Sequence, residues 1–218
     1  MDSNENKPLD RAQPVTAGLD TLTDSAREIR SWIITVAIAA VIVLAIFLYR
    51  GNRESNENKA SRMLGEARNI QALQAVINQY PSTAAARLSL LQAAKAQYDN
   101  GDYVTAQATY REFLSKNPGH PMASIAELGM VHCTEGMGQA EQALAAYVDF
   151  YGKHKESFLA PVALFGKARC LKSLKRYGDS KATYEDFLVS HPKSEWQGYV
   201  EEALKQLERD SRKPGVNM

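Results

Sequence analysis

Three short strings, YREFL from Tyr110, YVDFY from Tyr147 and YEDFL from Tyr184, stand 37 residues apart. A fixed interval of roughly 20–50 residues is the signature of a stacked array, because a unit that small cannot bury its apolar face alone and must lean on its neighbours. The interval extends well beyond the strings. It relates Leu91 to Leu128 and Phe165, Ala106 to Ala143 and Ser180, and Phe113 to Phe150 and Phe187. Within each unit the small residue, the Tyr and the Phe fall at i, i+4 and i+7, one face of an α-helix. Upstream, Gly101, Gly138 and Lys175 mark a turn, preceded by helical text such as PVALFGKARCLKSL. Each unit therefore reads as helix, short turn, helix. Pro118 and Pro192 follow second helices, where proline stops a helix without breaking its interior. Pro81 sits one interval before Pro118, and Leu73, Val76 and Ile77 stand where Tyr110, Phe113 and Leu114 stand a unit later, so a partial copy precedes the three. After Pro192, Trp196, Tyr199, Val200, Ala203, Leu204 and Leu207 form one apolar stripe, the pattern of a helix closing the end of a stack.

At this point the chain resembles a known family. LLQAAKAQYDNGDYVTAQATYREFLSKNPGHP is similar to a tetratricopeptide repeat, with Tyr98, Gly101, Tyr103, Ala106, Tyr110, Phe113 and Pro118 on its pattern. The period is longer than the family's usual one, and the second copy departs from it with Ala140 at the turn aromatic. The fold expected is all-α: a single transmembrane helix, then a tetratricopeptide-like α-solenoid of about three to four helix pairs with a C-terminal capping helix.

The membrane helix is read from residues 32–49, WIITVAIAAVIVLAIFLY, which carry no charge. Eighteen residues at about 1.5 Å each make about 27 Å of helix, close to a hydrocarbon core. Trp32 and Tyr49 stand at the ends, where amphipathic rings favour the interface, and Arg30 and Arg50 close the span. A cleaved signal peptide would follow a short basic region and end in small residues, whereas here a long tail precedes and IFLYRG follows. Flanking charges favour a cytoplasmic C-terminal side, yet long folded domains cross regardless of such charges, so the residues leave the side open. The divisions expected are a disordered tail at 1–31, the span at 32–49, a stem and partial first repeat at 50–80, repeats at 81–193, a capping helix at 194–210 and a tail at 211–218.

With 26 basic and 25 acidic residues among 218, the chain has no general attraction for polyanions, and nucleic acid is not an expected partner. His120, His132, His154 and His191 show no metal-ligand spacing. His132 and Cys133 are adjacent, but neighbours on a helix point about 100° apart and do not meet as base and nucleophile. No phosphate loop, nucleophile elbow or dinucleotide fingerprint is present. The chain reads as non-catalytic, with no cofactor. Cys133 and Cys170 occupy equivalent first-helix positions; packed helices lie about 8–10 Å apart, beyond the roughly 7 Å limit for a disulfide. Two buried thiols are expected.

The resemblance implies a groove lined by the first helices. Carrying the family's groove positions across gives Lys95, His132 and Arg169 as one row, Tyr98, Glu135 and Lys172 as another, and Leu91, Leu128 and Phe165 as an apolar row beside them. The set that grips chaperone tails by a terminal carboxylate lacks its Asn residues here, so extended or unfolded segments are the expected cargo. The organisation of tail, span and small array resembles the ancillary-subunit family of the bacterial SecYEG translocon. That resemblance implies an inner-membrane protein with a periplasmic array, with translocon subunits and periplasmic chaperones as partners in translocation or chaperone handover. A scaffold for envelope assembly or cell division, or a non-catalytic subunit of a membrane enzyme complex, are the alternatives. Oligomeric state is left open.

Overall fold

The computed structural model describes the backbone of residues 16–212 and the side chains from residue 30 onward, residue 31 excepted. The described residues form nine helices and no strand. Two compact units divide at Ser55/Asn56.

The first unit is the bulk of α1 (Thr16–Glu66). Residues 32–55 are exposed throughout, and the helix is long and apolar enough to cross a membrane. Residues 16–31, expected to be disordered, are helical. No proline follows Pro14 in the tail, and the strong helix formers of SAREIR run straight into the apolar segment, so one nucleus serves both. The rest of the expected disordered tail, and residues 213–218, lie outside the described residues.

The second unit begins with the last turns of α1 and α2 (Ile70–Gln79). Three helix pairs follow: α3 (Ala84–Asp99) with α4 (Tyr103–Lys116), α5 (Ala123–Gly136) with α6 (Ala140–Lys153), and α7 (Ala160–Ser173) with α8 (Tyr177–Ser190). Helix α9 (Gln197–Ser211) starts 37 residues after α7, in the register of a further first helix. From α2 onward each helix packs on the next, and α3 on α5 and α5 on α7, which lines one side of the solenoid with first helices.

Local chemistry sets these boundaries. Asn69, Thr83 and Asp102 cap α2, α3 and α4 by accepting backbone N–H bonds from Ala72, Ala86 and Thr105. Glu57 adds a long-range cap, its carboxylate accepting from Ala84 N at 2.9 and 3.1 Å and tying the end of α1 to the start of α3. Inside every pair the turn needs a left-handed residue: Gly101 at φ 81°, Gly138 at 76° and Lys175 at 59°. The same backbone bond closes each first helix, from Asp102 N to Gln97 O, Gln139 N to Thr134 O and Arg176 N to Leu171 O. Lys175 accepts there a strain that glycine avoids.

The recurrent aromatics are buried as the spacing predicts. Phe113, Tyr147 and Phe187 are almost completely enclosed, and Tyr110, Phe150 and Tyr184 nearly so. What the apolar pattern does not reveal is how the Tyr rings fit. Tyr110 lies on Gly129 and Tyr147 on Gly166, so close that a Cβ at either glycine would sit 2.5 and 2.3 Å from the ring. The glycines act as sockets that let each second helix press onto the next first helix; at the last joint the equivalent residue is Ala203. Ser180 replaces the small apolar residue of the other copies and donates to Ala168 O at 2.8 Å, so its burial leaves no hydroxyl unsatisfied. In α9, Lys205 and Glu208 occupy the places of Ala168 and Leu171 of α7 and are exposed, which makes it a cap.

Candidate inner-face site

The first helices present their side chains in rows, one height per turn and one copy per unit. The apolar row expected at Leu91, Leu128 and Phe165 does not line an open surface. Leu91 is half-buried, and Leu128 and Phe165 are buried in the core. Phe165 is roofed by the cap, its ring 5.6 Å from Trp196 and 5.0 Å from Tyr199, and it also packs edge-on against Phe187 at 5.0 Å. The accessible apolar row lies one turn nearer the helix starts: Leu88, Ile125, half-buried Val162 and Tyr199, with Leu88 37%, Ile125 38% and Tyr199 45% exposed. Its signal was in the sequence, since 88, 125, 162 and 199 keep the same interval, but apolarity alone does not tell a core row from a surface one.

One turn further on, Lys95, His132 and Arg169 do not form a ladder of free cations. Lys95 pairs with Asp99 of its own helix at 2.6 Å, both groups well exposed. Lys172 pairs with Asp210 of α9 at 2.6 Å. Arg169 is held by Glu135 of the preceding unit, donating from Nε to Oε1 at 2.8 Å and from Nη2 to Oε2 at 2.7 Å. This two-pronged pair is the strongest geometry available to a guanidinium and carboxylate. Tyr147 completes the cluster by donating its hydroxyl to Glu135. The rows thus bring Tyr98, His132, Glu135 and Arg169 together, with Tyr147 added from a second helix, and leave Lys95 paired within its own helix and Lys172 paired with α9.

The electrostatics follow from this packing. Burial alone would raise the Glu135 pKa, but the bonds from Arg169 and Tyr147 and the guanidinium charge outweigh it and hold the carboxyl low. Tyr147 is pushed up by burial and by the Glu135 carboxylate. His132 stands between the rings of Tyr98 at 6.2 Å and Tyr147 at 5.7 Å, and its Nε2 is buried with no hydrogen-bond partner. Burial, then Arg169, hold its pKa below the ordinary histidine value.

Beside the cluster, a cleft of about 340 Å³ opens between α7, α8 and α9, lined by Arg169, Lys172, Tyr184, Tyr199, Glu202 and Gln206. Burial pushes Cys133 up to about 11, the opposite direction from an activated thiol. Cys133 and Cys170 are free and buried, as their shared position predicts. No group of three or more His, Cys, Asp or Glu residues able to hold a metal occurs among the described residues.

A solenoid of helix pairs with a lined inner face, closed by a polar-backed helix, defines the class of repeat proteins that present an extended surface to other polypeptides. The family model described as tetratricopeptide repeat-like domain matches residues 28–209, and the chain belongs to that family. Among solved structures, a tetratricopeptide repeat protein from Parabacteroides merdae is similar, with a TM-score of 0.51 and 18% identity over 73% of this chain. The match spans 62% of the length of that protein. A search of curated proteins gives no match.

Proposed function

We propose that this chain is a membrane-anchored protein-interaction module whose inner face holds an extended, apolar and uncharged polypeptide segment. The observation that carries the reading is the row of Leu88, Ile125 and Tyr199, exposed, with half-buried Val162 between them, beside a polar strip whose charges are already paired. Packed helices lie about 8–10 Å apart. An extended or polyproline-type chain advances about 3.1–3.4 Å per residue, so every third side chain meets the next copy of the row. A partner with apolar residues at that spacing gains several modest contacts at once, and a strongly charged one meets Lys95, Arg169 and Lys172 already paired.

The apolar helix that begins the chain suits a tether, which raises the array's local concentration at a membrane. The sequence organisation favours an accessory role in protein translocation or chaperone handover at a bacterial inner membrane. In that setting the array is periplasmic and translocon subunits or periplasmic chaperones supply the segment. The test is fluorescence anisotropy with the full chain in detergent micelles and a labelled peptide carrying Leu at every third position among uncharged residues. Binding should be lost in the double variant Ile125→Glu and Val162→Glu and retained when Val104→Glu and Val148→Glu are introduced on the second helices. Equal binding by both variants would refute the reading.

A further inference from the structure

His132 is the least comfortable polar group on the inner face. The groups that act on it are Tyr98 and Lys95 from α3, Glu135 from its own helix α5, Tyr147 from α6 and Arg169 from α7. Its Nε2 is enclosed without an acceptor. A neutral ring tolerates this, because one ring nitrogen lacks a hydrogen and the flanking rings satisfy its faces by packing. A protonated ring does not, since it adds a charge and a buried N–H with nothing to receive it. The only carboxylate among those groups is Glu135, one helical turn away and already taken by Arg169 and Tyr147.

Protonation therefore forces one of two changes. Either Glu135 turns from Arg169 to the imidazolium, or the ring leaves its slot between Tyr98 and Tyr147. The first breaks the contact that ties α5 to α7 across the joint between the second and third units, and the second strips Tyr147, the third member of that cluster, of the ring packed on it. The cluster also changes from net neutral, with Glu135 balancing Arg169, to one positive charge. We propose that His132 is an acid-operated latch on the inner face: proton uptake on its ring opens the Glu135–Arg169–Tyr147 cluster and turns a strip suited to uncharged segments into one offering a free guanidinium. The proposal rests on the inner face being the binding surface, but the latch itself is a property of the chain alone.

The pKa directions agree with this geometry. Burial first, then Arg169 and Lys95, hold His132 down, with Glu135 pulling the other way. Glu135 is itself held below the ordinary carboxylate value, because the bonds from Arg169 and Tyr147 outweigh its burial. The latch accordingly stays shut at neutral pH and opens only as the pH falls below the ordinary histidine value.

The experiment follows two NMR signals of the full-length chain in detergent micelles, with no partner present, between pH 7.5 and pH 4.5: the His132 ring resonance and the Arg169 Nε–H resonance. At pH 7.5 the Arg169 proton should show the downfield shift and slow exchange of a carboxylate-bound guanidinium. On acidification that signal should be lost with the same midpoint as the His132 titration. In His132→Phe, which fills the slot but takes no proton, it should persist to the bottom of the range. An Arg169 signal unchanged while His132 titrates, a His132 ring still neutral at pH 4.5, or the same loss in His132→Phe would each overturn the latch. The wild-type titration decides alone if the variant does not fold. Failure of the peptide experiment at pH 7.5 would overturn the binding reading and leave this one standing.

Discussion

Gly166→Ala is the smallest change that strikes the joints of the solenoid. The new Cβ would lie 2.3 Å from Tyr147 Cζ and 2.4 Å from Cε1, against the roughly 3.5–4.0 Å of an ordinary carbon contact. The ring must therefore retreat by more than an ångström, and it has nowhere to go. It is 0% exposed, and its hydroxyl is bonded to a carboxylate that also holds Arg169. Overpacking of this kind costs about 1–3 kcal/mol, and losing a hydrogen bond to a charged group about 1.5–3 kcal/mol. The better helix propensity of Ala returns about 0.5–1 kcal/mol. The net expectation is a loss of about 2–5 kcal/mol, or about 4–20 °C in Tm for a unit of this size. Gly152→Ala in α6, where a Cβ meets nothing within 4 Å, is the matched control and should leave Tm unchanged or slightly raised. Thermal unfolding followed by circular dichroism at 222 nm on the full chain in micelles reads both. A Gly166→Ala protein as stable as the wild type would show that Tyr147 does not press on that glycine.

Two other outcomes follow from the packing. Because Cys133 and Cys170 are buried with thiols raised to about 11, native labelling by a thiol reagent near neutral pH should be at least tenfold slower than in denaturant at both, and fast reaction at either contradicts the burial. Stability should fall on acidification in two windows. His132 has a folded pKa below its unfolded value of about 6.5, and Glu135 one below about 4.3. In each window the unfolded chain binds more protons than the folded one, so stability rises with pH through it. Tm measured from pH 7.5 to pH 3.5 should begin to drop below about pH 6.5 in the wild type, whereas in His132→Phe, where the Glu135–Arg169 pair stays closed, the drop should begin only below about pH 4.3; a flat profile in both would contradict both assignments.

Most of the array was legible because its determinants are local or periodic. A small residue, a Tyr and a Phe at helical spacing force one buried face, and the 37-residue interval repeats that decision with each copy. Even the turn was readable through Lys175, which stands where two copies have glycine and takes the left-handed conformation they take. The inner face was less legible. Rows were assigned from register, and register alone cannot say that Phe165 lies under Trp196 and Tyr199 of a helix more than thirty residues away. Nor does a row of basic residues announce its partners: Glu135 meets Arg169 across 34 positions, and Asp210 meets Lys172 only because α9 folds back as a first helix without a mate. Glycine sockets were missed for the opposite reason, since their information is the absence of a side chain. The helix over residues 16–31 was missed because low apolarity was read as disorder, although the segment needs only its continuation into α1 to stay helical.

The most direct test of the account is site-specific photo-crosslinking in native membranes, with a photoreactive residue placed in turn at Leu88, Ile125, Val162, Val104 and Val148. A discrete adduct with another polypeptide is expected from the first three positions, which share the inner row, and none from the last two. Adducts of equal yield from Val104 and Val148, with none from the inner row, would contradict it.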